Sequence, residues 1–289
     1  MDAPLRLAAI LGLSLLAAPA LAAEQVNPFA GEAAPEDLPQ SQCIALARNL
    51  DAEPGLSTRY AALDAPIPVN GRDDFAVTIT FATHSTYVIE TPKGVTIATD
   101  YAGWAGPGVT PSVVTMNRAH SSHYTMSPDP DIEHVLPGWG PNPAEPAKHA
   151  LVIEDVYIRN VTTDIDRWGE RSPDANSIFV FEVAGLCIGH LGHLHHRLKD
   201  RHYAQIGRLD IVMVPVDGGL TLNHDGMTEV VERLRSSIIL PMHRRGNPMS
   251  RFLTMLGEGF AVRTLDTNSM TLTLRDLPSE PTIIIMPGI

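Results

Sequence analysis

At 289 residues the chain is long enough for one large domain or two small ones. Its net charge of −12 argues against nucleic acid or an anionic membrane surface as a partner. Read from the N-terminus, Arg6 precedes residues 7–18, which are apolar apart from Ser14, and Ala20-Leu21-Ala22 has the small-x-small form of a cleavage site. A secretory signal over residues 1–22 is therefore expected, with the mature chain starting near Ala23 in the periplasm or outside the cell. Asp2 and Arg6 cancel, so the mature chain keeps −12. The apolar run is too short to span a membrane stably, so no membrane association is expected after cleavage.

Residues 23–74 read as a mobile leader with a short helix at 41–50 and a Pro- and Gly-punctuated linker at 51–73. The folded domain is expected over 75–289. Strands are predicted at 76–81, 86–90 and 95–100, with Pro92-Lys93-Gly94 as a turn. Others come at 113–116, 152–161, 177–183 and 209–216. Residues 137–147 hold four prolines around Trp139 and read as a rigid surface loop that could serve as a lid. Met227, Val230, Val231 and Leu234 repeat at helical spacing and predict an amphipathic helix. A strand at 237–240 comes next, and strands at 262–265 and 270–274 are expected to close the domain.

The histidines carry the chemistry. Residues 187–196 read Cys-Ile-Gly-His-Leu-Gly-His-Leu-His-His and hold four of the chain's twelve histidines directly after a buried strand. Strand 113–116 runs into Asn117-Arg118-Ala119-His120-Ser121-Ser122-His123, and strand 237–240 into Pro241-Met242-His243. Three strands ending in histidine predict a shared site, because strand ends in α/β layers gather along one edge. Neutral imidazole is the commonest protein ligand for zinc and similar ions, so the site reads as a metal centre; a surface histidine tract is the other reading. His190 and His193 lie three apart, and strand alternation would send one to the site and the other to the core. His134, His149 and His202 fit no pattern and read as surface residues. Cys187 sits in an apolar run, where a buried thiol is the default; in an oxidising compartment it could instead pair with Cys43.

These anchors resemble the metallo-β-lactamase superfamily, in the branch of the ascorbate-lactonase-like and N-acyl-phosphatidylethanolamine phospholipase-like enzymes. Phe81-Ala82-Thr83-His84-Ser85 stands for the Gly-His-Ser segment. Arg118-Ala119-His120-Ser121-Ser122-His123 stands for His-x-His-x-Asp-His, His190-Leu191-Gly192-His193 for His-x-Gly-Asp, and Pro241-Met242-His243 for Pro-x-His. The resemblance covers residues 75–275. It implies an αβ/βα sandwich, an α/β fold of two mixed β-sheets with helices on the outer faces.

The departures from the family pattern bear on function. Arg118 replaces the first motif histidine, Ser122 the motif aspartate and His193 the bridging aspartate, and the isolated family histidine falls near Asp164, where there is none. Two cations with no bridging carboxylate between them would repel. The expectation is therefore one ion, zinc or another divalent transition metal, on His120, His123, His193 and His243, with His190 as a further candidate. Arg118 would hold a substrate oxyanion, or else pair with Asp164 or Asp166. His196 would act as a ligand or beside one, and His84 would orient a ligand or substrate or else make a core hydrogen bond. The reading is a secreted metal-dependent hydrolase of a small ester, lactone, amide or phosphoester. The alternative is a non-hydrolytic metal- or ligand-binding protein, with redox activity as one variant, on the same fold.

Overall fold

A computed structural model describes residues 40–44, 73–142, 145–167, 169–244 and 249–289. The expected signal peptide and most of the expected leader lie outside these residues. In chain order the strands begin with Val77–Thr83 (β1), Thr86–Glu90 (β2), Thr96–Ala98 (β3), Val113–Met116 (β4) and His134–Pro137 (β5). Ala150–Ile153 (β6), Val156–Arg167 (β7), Glu170–Val183 (β8) and Leu186–His190 (β9) follow. Helix Asp200–Ile206 (α1), strand Ile211–Pro215 (β10), helix His224–Leu234 (α2), strand Ile238–Met242 (β11) and helix Met249–Leu256 (α3) come next. Ala261–Thr264 (β12), Ser269–Leu272 (β13) and Thr282–Ile285 (β14) complete the order.

The strands form two mixed sheets, ordered β13-β1-β2-β3-β4-β5 and β12-β14-β11-β10-β9-β8-β7-β6. One core lies between them, where Ile79, Tyr87, Ile89 and Ile97 of the first sheet meet Phe179, Phe181, Ile188 and Met213 of the second. Each such buried side chain contributes about 1.5–3 kcal/mol. Strands β9, β10 and β11 run parallel and are buried throughout, which is why they read as continuous apolar runs rather than alternating ones. The opposite face of this sheet, through Val180 of β8, Val212 and Val214 of β10 and Ile239 of β11, packs on Met227, Val230 and Val231 of α2 and on Phe252 of α3. Among the described residues the helices cover only this outer face. The outer face of the smaller sheet, through Val88, Val114 and Met116, is covered by Tyr101, Ala105 and Ile132 from irregular segments.

Several sequence expectations need correction. The single strand expected at 152–161 is two, β6 and β7, broken at Glu154, whose φ of +50° is left-handed. Asp155 fixes that turn by accepting hydrogen bonds from the Thr91 hydroxyl (2.6 Å) and the Lys93 amide (3.0 Å). β8 starts seven residues before the expected 177, because its polar, exposed first half has no apolar period to read. The domain does not close at 270–274: β14 comes later and inserts between β11 and β12.

Part of the segment expected to be a mobile leader is fastened to the domain. Cys43 and Cys187 form a disulfide rather than buried thiols. Glu182, itself paired with Arg159 (2.8 Å), accepts from the Ser41 hydroxyl (2.5 Å) and the Gln42 amide (2.8 Å). The Arg208 amide donates to the Cys43 carbonyl (3.0 Å). The disulfide joins residues 144 apart, so it restricts a large loop of the unfolded chain. Cys43→Ser is expected to lower the unfolding free energy by about 2–4 kcal/mol, the usual worth of such a link. Urea denaturation measures this, and equal midpoints for the variant and the parent would refute it.

Candidate metal centre

The ends of strands from both sheets meet along one edge. His84 lies in the turn from β1 to β2, His120 and His123 come after β4, His193 after β9, and His243 after β11. The parallel register of β9, β10 and β11 brings the last two ends level. The His123 ring centroid lies 4.5 Å from that of His120, 4.8 Å from His193 and 5.0 Å from His243. His193 lies 5.0 Å from His120 and 4.8 Å from His243. His84 lies 4.2 Å from His243 and 5.2 Å from His123. One ligand atom each of His84, His120, His123 and His243 falls within 4.8 Å of the others.

Hydrogen bonds on the far side of the rings set their orientation. His123 Nδ1 donates to Asp100 (2.6 Å) and His243 Nδ1 to Asp217 (3.0 Å). Nδ1 of His120 pairs with the Ser122 hydroxyl at 2.7 Å, and Nδ1 of His193 with His195 Nε2 at 2.7 Å. A carboxylate accepts only, so Asp100 and Asp217 hold the proton on Nδ1 and leave the Nε2 lone pair facing the cluster. Both carboxylates are held below their usual range. Burial opposes this at each, but contacts with His190 and His123 and hydrogen bonds from His123 and Asn117 outweigh it at Asp100. Hydrogen bonds from His243, Thr221 and the Leu220 amide do the same at Asp217. Burial, then the neighbouring imidazoles, lowers His84 to about 4 and pushes His193 far below the usual imidazole range, so both rings are neutral at pH 7.

Two asparagines brace this edge across the sandwich. Asn117, after β4, donates to Asp100 (2.7 Å) and accepts from the Ser177 amide of β8 (2.7 Å). Asn176 accepts from the His193 amide (2.7 Å) and donates to the Leu191 carbonyl (3.2 Å) and the Thr163 hydroxyl (2.9 Å). His84, Asp100 and His243 have φ of +44°, +44° and +55°, a left-handed backbone that costs side-chain-bearing residues energy and concentrates at functional sites.

The residues fit a divalent ion. Nε2 of His84, His123 and His193 is buried in each case with no hydrogen-bond partner, an unfavourable state that a cation would relieve. Nε2 of His120 and His243 approach to 3.4 Å. Two ligands of a tetrahedral ion, each about 2.0–2.1 Å from it, would stand about 3.3 Å apart.

The structure brings the rings of His120, His123, His193 and His243 together and adds His84; the ligand atoms that lie within 4.8 Å of one another are those of His84, His120, His123 and His243, without His193. His190 is placed elsewhere: its Nε2 donates to the Ser85 carbonyl (2.8 Å) and its Nδ1 accepts from the Gly192 amide (3.1 Å), leaving no lone pair for an ion. His196 also lies outside the cluster, with Nε2 accepting from the Asp164 amide (3.2 Å) and Nδ1 donating to the Arg197 carbonyl (2.9 Å). It lines a separate cleft of about 360 Å³ with Asp164, Arg171 and Lys199. Arg118 is exposed, and Asp164 and Asp166 pair with Arg171 instead (3.6 and 2.9 Å). His202 is buried and His149 donates to the Pro137 carbonyl (2.7 Å), so neither is the surface residue expected. Sequence reasoning missed Asp100 and Asp217 as orienting groups. Their one signal was an aspartate at the end of a predicted strand.

Residues 78–243, more than half of the chain, match the family described as the beta-lactamase superfamily domain. The chain belongs to the metallo-β-lactamase superfamily. No curated protein matches it in sequence. Among solved structures it is similar to a Thermotoga maritima protein assigned as a Zn-dependent hydrolase of the metallo-β-lactamase superfamily. The identity is 27%, over 73% of this chain and 98% of that one, with a TM-score of 0.54. A Parabacteroides distasonis protein assigned as a metal-dependent hydrolase shares the fold at 12% identity, over 74% of this chain and 93% of that one, with a TM-score of 0.52. The two-sheet sandwich is thus the metallo-β-lactamase fold, and the histidine cluster of this superfamily member is suited to a divalent metal.

Because Asp217 sets the His243 tautomer, Asp217→Asn is expected to weaken metal binding by about 10–100-fold, the usual cost of losing such a partner. Calorimetric titration with zinc measures it, and unchanged affinity would show that the carboxylate does not orient the ring.

Proposed function

We propose that the protein is an exported hydrolase of a small ester, lactone, amide or phosphoester, working with one zinc ion held by His120, His123, His193 and His243. The convergence of buried, unpartnered imidazole nitrogens on one strand-end edge carries this reading. A bound divalent ion supplies Lewis acidity and water activation at neutral pH. Asp100 and Asp217 keep the Nδ1 protons of His123 and His243 in place, so that their Nε2 lone pairs face the ion. His120 is only half-buried, on the open side of the cluster. Arg118, two residues before it on the same loop, is exposed and makes no ion pair among the described residues, so its planar fork is free to take a substrate oxyanion.

The net charge of −12 supports a small-molecule substrate over nucleic acid or an anionic membrane. The Cys43–Cys187 disulfide supports a periplasmic or secreted location, since such links persist in oxidising compartments. One observation favours the second reading, a metal-binding protein without hydrolytic activity: among the described residues, no carboxylate stands with the clustered ligand atoms. Metal analysis of the purified protein, then assays on activated esters, lactones and phosphodiesters before and after chelation, separate the two. Hydrolysis lost on chelation and restored by zinc supports the first. Stoichiometric metal with no turnover of any substrate class supports the second. A protein that binds no divalent ion overturns both.

A further inference from the structure

We propose that His84 is a ligand of the metal centre, on its solvent side, where its ligand atom lies within 4.8 Å of those of His120, His123 and His243. This rests on the single-ion reading above. His120, His123 and His243 form a base whose rings touch one another, at centroid separations of 4.5, 5.0 and 5.6 Å. His193 caps one side of this base and His84 the other. Each contacts all three base rings, and among the described residues no ring contact joins the two caps.

His84 is not explained as packing. Its ring makes no hydrogen bond among the described residues, and its Nε2 is buried without a partner although the ring is only partly covered. Its neighbour Ser85 shows how the same turn satisfies its groups, with the hydroxyl 3.1 Å from His123 Nδ1 and the carbonyl accepting from His190. The backbone supplies the second observation. His84 and His243 both take left-handed φ, and the His243 amide donates to the His84 carbonyl (2.8 Å). Two strand ends, one from each sheet, are clamped at two strained residues, and the result is a pair of imidazoles 4.2 Å apart. Such strain persists where surrounding structure imposes it for a purpose, and here the purpose is aim.

His193 caps the buried side of the base, whereas His84, on the more open side, would be the ligand that an incoming substrate or water displaces.

Cobalt(II) titration tests this, read by affinity and by the visible d–d spectrum. His84→Asn tolerates the left-handed backbone but removes the imidazole. It is expected to bind cobalt at least about tenfold more weakly, with a shifted spectrum and an unchanged melting temperature for the metal-free protein. Wild-type binding with identical affinity and spectrum in His84→Asn overturns the role of His84 and leaves the single-ion reading standing. No cobalt binding by the wild type overturns both. If the variant does not fold, a crystal structure of cobalt-loaded wild type decides: His84 Nε2 at about 2.1 Å from the ion is expected, and a ring turned away from the ion refutes the proposal.

Discussion

His193→Ala is expected to lower zinc affinity by more than the about 10–100-fold that loss of an outer hydrogen-bond partner costs a metal site. The ring is fully buried, its Nε2 has no protein partner, and it packs against His120, His123 and His243. His193→Asp should lose less, because a carboxylate at the same place can still coordinate. That variant restores the residue type found there in the superfamily pattern, without completing that pattern while Arg118 and Ser122 remain. Calorimetric titration of metal-free protein with zinc ranks the three proteins. If wild type and His193→Ala bind equally, His193 is no ligand and the four-histidine set must be redrawn.

Gly192→Ala is expected to lower stability by about 2–5 kcal/mol, from a left-handed backbone and overpacking together. Gly192 has φ of +60°, and an added Cβ would stand 2.4 Å from both Asn117 Nδ2 and Asn176 Oδ1 and 3.0 Å from the Ser177 carbonyl. These are the braces that hold Asp100 and the His193 backbone, so the substitution should weaken metal binding along with the fold. Denaturant titration and calorimetry measure the two effects. An unchanged unfolding midpoint would mean that the asparagines yield without cost and are not braces.

Much of the site was legible because it is made of strand ends. His120, His123, His193 and His243 each stand just past an apolar run, and a sheet edge gathers the residues at the ends of its strands. Strand alternation alone did not choose between His190 and His193, since it stops where the strand does; the motif resemblance put His193 in the set. β9 ends at His190, and the turn at Gly192 resets which way side chains face, so the later histidine enters the cluster. Asp100 and Asp217 were hidden for another reason. Each pairs with a histidine that lies 23 or 26 residues away, and no local pattern marks a carboxylate for a distant ring. The disulfide was masked by its setting, because an apolar strand around Cys187 reads the same for a thiol as for a bridge. In the fold, buried apolar runs identified strands well, but the polar half of β8 and the late β14 carried no period or context that set them apart.

The pairing of β1 with β13 aligns Val77 with Leu272, so the first sheet closes only when a strand from near the chain's end arrives. The clustered histidines themselves span positions 84 to 243 and come from both sheets. Contacts of such long range form late and slowly. Loading of a divalent ion would therefore be a terminal event in the life of a new chain: a nascent or clipped fragment holds at most scattered imidazoles.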